Sequence, residues 1–225
     1  LGEWEVDLSA LVYKFNRERN LVLTKRSRTN ADIVVLGVDL GFDDESSFTI
    51  TSYNNLDKKL YVLRSYGHSG LDITAVANEI KSLQKKFNPS TIVVDGANKQ
   101  AVQEIINRHL IPLIPAEKER KFEFIQIMNA DFIAGDIKII HDECTGLIEE
   151  LETLVWNEKK FPKRVELASL PNHKCDSLLY AWRYSYNYII NEVQDGKTDE
   201  EKVNDWWEKQ VVDSGRAIGD YASTE

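Results

Sequence analysis

The chain has 225 residues with 42% hydrophobic and 29% charged side chains, enough for one sizeable α/β domain whose core needs no disulfides. No apolar run is long enough to cross a bilayer, and two cysteines, Cys144 and Cys175, are too few for a zinc ribbon or a secreted disulfide framework, so the chain reads as cytosolic. The net charge of −9 argues at first against a nucleic-acid partner, but residues 192–225 hold ten acidic and four basic residues, a net −6, leaving only −3 for the rest.

Residues 1–30 are mixed in character and end in a basic segment, which reads as a linker or arm; the start at Leu1 without a leader reads as a piece of a longer polypeptide. The continuous β-branched run IVVLGVDL at 33–40 predicts a central strand covered on both faces. Ser46–Tyr53 and Leu60–Tyr66 alternate as two further strands around an Asn/Asp turn, completing a three-strand meander. Apolar positions from Leu71 to Phe87 recur at helical spacing, and Asn88-Pro89 stops that helix. TIVVDGAN at 91–98 is a buried strand leading into a helix that runs to about Arg108. A brief strand at 113–115, a helix at 118–134, a strand at 137–140, a helix at 143–155 and a long helix from His173 to about Asn191 continue the alternation. Thr198 and Glu201 form a capping box for a last helix, 198–211. The expected fold is thus α/β, a mixed sheet made of an antiparallel meander followed by parallel strands and flanked by helices. Its body spans 31–192, with an acidic helix and tail at 193–225.

Three carboxylates stand where this pattern makes them costly. Asp39 interrupts one apolar strand, Asp95 closes another, and Asp176 begins an apolar and aromatic helix. A carboxylate beside a core needs a cation, hydrogen bonds or an escape to solvent. Asp39 before Gly41 and the Asp95-Gly96 pair each also suit a turn, and Asp176 suits the first turn of a helix. Together they make a more specific pattern: neighbouring strands and a packed helix could bring them to one edge of the core. Three hard oxygen ligands without cysteine suit two divalent cations, Mg²⁺ or Mn²⁺, which serve phosphodiester hydrolysis. His173, three residues before Asp176, can share its helix face and stand beside the metal or the attacking water, or act as an ordinary cap. Lys118, Arg120 and Lys121 are candidates for DNA backbone contacts, although such charge clusters are also common on solvated faces. His68, His109 and His141 show no ligand spacing.

Taken together, GVDLG at 37–41, Ser46 with Phe48–Ile50, IVVDGAN at 92–98, Asn129, Gly135, Ile137–Ile139 and HKCDSLLYAWRY at 173–184 resemble the nuclease domain of the large terminase subunit of tailed double-stranded DNA bacteriophages. LGEW and VYKF near the start resemble the segment linking that family's ATPase domain to its nuclease. The resemblance covers about Leu1 to Asn191. It implies an RNase H-like fold and an endonuclease that cuts concatemeric viral DNA, with little sequence specificity, in the cytoplasm of a bacterial host. Asp39 would bridge two metals, Asp95 would complete one site and Asp176 the other, while His173 matches a histidine found there in part of the family. Implied partners are double-stranded DNA, a small terminase subunit, the portal and procapsid, and the chain's own ATPase domain. No membrane is implied, and the isolated domain is expected to be a monomer. There is no GxxxxGK[ST] loop in the chain, so no ATP hydrolysis is assigned to it. Two rival readings are a fragment of an actin, Hsp70 or sugar-kinase-like phosphotransferase, and a catalytically inactive module that docks DNA or portal.

Overall fold

A computed structural model describes residues 10–23, 32–41, 44–54 and 59–190. In chain order the elements are α1 (Arg17–Asn20), β1 (Leu21–Val22), β2 (Ile33–Asp39), β3 (Glu45–Asn54), β4 (Lys59–Ser69), α2 (Ile73–Phe87), β5 (Thr91–Val94), α3 (Lys99–His109), β6 (Ile114–Pro115), α4 (Lys121–Ala134), β7 (Ile137–Ile140), α5 (Thr145–Thr153) and α6 (His173–Ile190). The strands form one mixed sheet in the order β1-β7-β4-β3-β2-β5-β6. β2, β3 and β4 are the antiparallel meander; β5 lies parallel to β2, β6 to β5, and β7 to both β4 and β1. The expected mixed sheet with flanking helices is therefore present. The helix expected at 198–211 and the tail expected at 193–225 lie outside the described residues.

Strand periodicity decides what faces what. Successive side chains of β2 alternate between the two faces of the sheet, so Val35, Gly37 and Asp39 share one face. That face carries α6. Val35 clusters with Val93, Tyr180 and Ala181, and a Cβ built on Gly37 would stand 2.0 Å from the Ser177 carbonyl oxygen. Glycine is thus required at 37 because a helix backbone lies directly against the strand. The neighbouring strand is matched to the same approach. Ser47 Oγ donates to the His173 carbonyl at 2.5 Å, and Thr49 Oγ1 hydrogen-bonds both Ser177 Oγ and Ser65 Oγ, at 2.7 and 2.8 Å. Small hydroxyl residues therefore seat α6 and hydrogen-bond one another.

The main apolar cluster gathers Leu60 and Val62 of β4, Ile137 and Ile139 of β7, Phe132 of α4, Leu147 and Leu151 of α5, and Leu178 and Trp182 of α6. Val12 and Tyr13 belong to it, each fully buried. Residues 10–22, read from sequence as part of an arm, are thus built into the domain. Two asparagines hold them there. Asn129 accepts from the Lys14 amide at 2.8 Å and donates to the Val12 carbonyl at 2.9 Å, while Asn20 donates to the Phe132 and Ile137 carbonyls at 2.9 and 3.0 Å. α4 begins at Lys121 rather than 118, because Arg120 takes a left-handed backbone (φ 56°) that cannot continue a helix. No helix among the described residues is long and apolar enough to cross a membrane.

Candidate functional site

The site forms where β2 and β5 end side by side. Val38 is in register with Val94, and the Asp95 amide donates to the Val38 carbonyl at 2.9 Å, so Asp39 and Asp95 leave adjacent parallel strands together. Asp95 lies two residues beyond Val93, which packs with α6 residues. By the same alternation it belongs to the face that carries Asp39. Both carboxylates are nearly buried, with residue exposures of 7% for Asp39 and 9% for Asp95. α6 then brings its first two turns over the strand ends, so that His173, Asp176 and Tyr180, spaced three and four apart, share one stripe.

His173 lies against the first carboxylate. Its Nδ1 is 2.9 Å from Asp39 Oδ2 and its Nε2 3.1 Å from Asp44 Oδ2. The hydrogen bond to Asp39, reinforced by Asp44, lifts this imidazole to about 9 against the opposing effect of burial. A charged imidazole clamped between two carboxylates has a fixed ring orientation and can hold a proton beside Asp39. The Tyr180 hydroxyl is 3.5 Å from Asp39 Oδ1. Its phenol is pushed far above the usual range, first by burial and then by the charges of Asp176, Asp39 and Asp95.

Asp176 is partly buried, its side chain 14% exposed. Burial, with the nearby charges of Glu166 and Asp39, pushes its carboxyl up to about 7, and Lys121 works in the opposite direction. Lys121 Nζ lies 2.6 Å from Asp176 Oδ1 and donates to Glu166 Oε2 at 2.9 Å. Burial alone would lower this lysine, but the two acids outweigh it and hold the ammonium above its ordinary value. Asn172 Nδ2 donates to Glu166 Oε2 at 2.9 Å and, more weakly, to Asp176 Oδ2 at 3.4 Å. Lys118 Nζ stands 2.5 Å from Asp95 Oδ1, which also accepts from the Ala97 amide at 2.8 Å. A cavity of about 100 Å³ opens between Glu117, Lys118, Lys121, Asp176, Tyr180 and Arg183.

Of the three basic candidates for DNA, Lys118 and Lys121 thus face carboxylates of the site. Arg120 is exposed and pairs loosely with Glu123 at 3.9 Å. Glu166 escaped the sequence reading: it sits in the polar stretch between two helices, with no periodicity to mark it, and only the fold brings it to Asp176. Tyr180 carried a signal, four residues after Asp176 on the same helix.

The donor chemistry suits a hard divalent cation. Every candidate ligand is a carboxylate oxygen, and buried Glu166 Oε1 has no hydrogen-bond partner. Among the described residues, however, no three Asp, Glu, His or Cys side chains stand close enough to share one ion as they are placed. Each acid is instead met by an ammonium or imidazolium. The residues therefore fit a divalent cation in their chemistry, and in the present placement their oxygens are held by those cationic side chains.

The same fold recurs in known proteins. No protein-family model matches the chain. A curated relative, the terminase large subunit of Escherichia phage T5, is 27% identical over 150 residues, covering 65% of this chain and 34% of that protein. The chain therefore spans about a third of that relative's length. The nuclease domain of the g2p large terminase of bacteriophage SPP1, solved with bound Mn, superposes with a TM-score of 0.58 at 16% identity, over 74% of this chain and 97% of that one. This is the fold of a large-terminase nuclease domain. A large terminase from a thermophilic bacteriophage shares it over 76% of this chain and 44% of that protein, with a TM-score of 0.66 at 16% identity. Asp39 and Asp95 stand at the carboxyl ends of two central parallel strands, and Asp176 on the helix that packs against them.

Proposed function

We propose that this chain is a metal-dependent endonuclease that hydrolyses phosphodiester bonds of concatemeric double-stranded viral DNA during genome packaging, by a two-metal-ion mechanism with little sequence specificity. The observation that carries the reading is that Asp39 and Asp95 leave adjacent parallel strands in register, under the helix that carries Asp176 and whose Tyr180 hydroxyl is 3.5 Å from Asp39 Oδ1. The likeness to a nuclease domain solved with Mn supports it. When bound, Mg²⁺ or Mn²⁺ would activate a water and stabilise the leaving oxygen of the scissile phosphate.

The chain's own residues divide the remaining work. On this reading Asp39 would serve both ions, Asp95 would complete one site and Asp176 the other. His173, hydrogen-bonded to Asp39 and Asp44, orients the Asp39 carboxylate and can hold a proton beside it. Arg120, exposed at the rim, remains a candidate for phosphate contact, and binding through so few basic residues should be weak and salt-sensitive. By the same reading the chain works beside an ATPase domain of a longer protein, with a small terminase subunit and the portal and procapsid as partners, in the cytoplasm of a bacterial host.

Conversion of supercoiled plasmid to nicked and linear forms in Mn²⁺ tests the proposal. Asp39→Ala, Asp95→Ala and Asp176→Ala should each lower the rate by a factor of about 10² or more, with circular dichroism unchanged. Wild-type activity in a folded Asp39→Ala variant would refute the assignment. ATP turnover without cleavage would point instead to a phosphotransferase.

A further inference from the structure

Two side chains oppose the carboxylates of this site without a part in the chemistry above. Lys118 Nζ is 2.5 Å from Asp95 Oδ1; Lys121 Nζ is 2.6 Å from Asp176 Oδ1 and 2.9 Å from Glu166 Oε2. A Mg²⁺ or Mn²⁺ ion lies about 2.1 Å from a carboxylate oxygen it binds, so an ion on either aspartate oxygen would stand within about 5 Å of an ammonium nitrogen. In a partly buried cleft solvent screens such a repulsion poorly. The ion and the ammonium cannot comfortably share one oxygen.

Both lysines have somewhere to go. Their side chains are 46% and 35% exposed, so each can swing its flexible stem towards solvent. Their anchor points are fixed. Arg183 of α6 donates to the Glu117 and Glu119 carbonyls at 2.8 and 2.7 Å and lies over the Phe124 ring at 3.5 Å. The loop bearing Lys118 is thereby tied to the helix that carries Asp176. Glu166 is what makes Lys121 the stronger competitor: it gives that ammonium a second carboxylate in a more enclosed place.

We propose that Lys118 and Lys121 are exchangeable counter-cations of the carboxylate site, which a divalent cation must displace from Asp95 and Asp176 in order to bind. The inference rests on the metal-dependent reading above. It makes these lysines determinants of metal affinity, keeping mutually repelling acids together until an ion takes over that task. A scaffolding role alone has the opposite consequence, since its loss would loosen the ligands and weaken binding.

Calorimetric titration of the 225-residue chain with Mn²⁺, at fixed pH and ionic strength, separates these cases. Lys121→Met should tighten Mn²⁺ binding about tenfold and Lys118→Met about threefold, as expected when one opposing charge is removed. Lys121→Arg, which keeps the charge, should match wild type to within about twofold. Lys118→Met, on a loop, carries the test alone should Lys121→Met fail to fold. Equal or weaker binding in the methionine variants, with wild type binding normally, would overturn the exchange and leave the metal site standing. Absence of Mn²⁺ binding in every protein would overturn the metal site and the exchange with it.

Discussion

A methyl group at position 37 would meet the Ser177 carbonyl oxygen at 2.0 Å, so the contact between β2 and α6 rests on a missing side chain. Gly37→Ala should destabilise the domain by about 2–3 kcal/mol, the usual cost of overpacking, and lower cleavage further by lifting Asp176 away from Asp39. Urea denaturation beside the nicking assay measures both effects; wild-type values in both would show that α6 does not depend on this contact. Asp131 gives a prediction of pH dependence. Its carboxyl is raised above the ordinary range, chiefly by burial, with Asp136 adding to the effect and the Trp182 indole hydrogen bond opposing it. A carboxyl raised in the folded state binds its proton more tightly there, so its contribution is fully present below the unfolded pKa and is lost as pH rises through the folded one. Asp131→Asn can still accept from Trp182 Nε1, which now donates to Oδ2 at 2.8 Å, and removes the charge. The variant should melt higher than wild type at neutral pH, and the difference should shrink on acidification. A lower melting temperature at neutral pH would show that the charged hydrogen bond outweighs the burial cost.

Among the elements, the first segment and the last helix show what could and could not be read in advance. Asp39 and Asp95 were legible because each breaks a β-branched run, and a charge in such a run demands an explanation. Asp176 was legible because the rest of its helix is apolar. Residues 10–22 were not, since a four-residue helix and a two-residue strand carry no periodicity, and their burial depends on Asn129, more than a hundred positions away. Asn129→Ala would remove its hydrogen bonds to the Lys14 amide and the buried Val12 carbonyl. We expect a loss of about 2–3 kcal/mol, as for unsatisfied buried polar groups, and faster hydrogen exchange at residues 12–20. If that segment were only a tether, stability and exchange would stay unchanged. Glu166 and the lysine pairings were hidden for a related reason: ion pairs between distant loops and helices leave no trace in local pattern.

Across the whole molecule, the chemistry expected from three acidic positions depends on an architecture that brings two central strands to a common end beneath a helix. The mixed strand order supplies this by setting β5 parallel to β2, so that both strands end together, and α6 closes over them. What the fold adds is a second set of charges, Lys118, Lys121 and His173, fitted closely to the acids. Diffraction from crystals soaked in Mn²⁺, with anomalous scattering used to locate the ions, tests the central claim most directly. The account predicts manganese within roughly 2.0–2.4 Å of Asp39 oxygens, shared with Asp95, Asp176 or both. Manganese bound elsewhere, with the three aspartates still closed by their lysine and histidine partners, would contradict it.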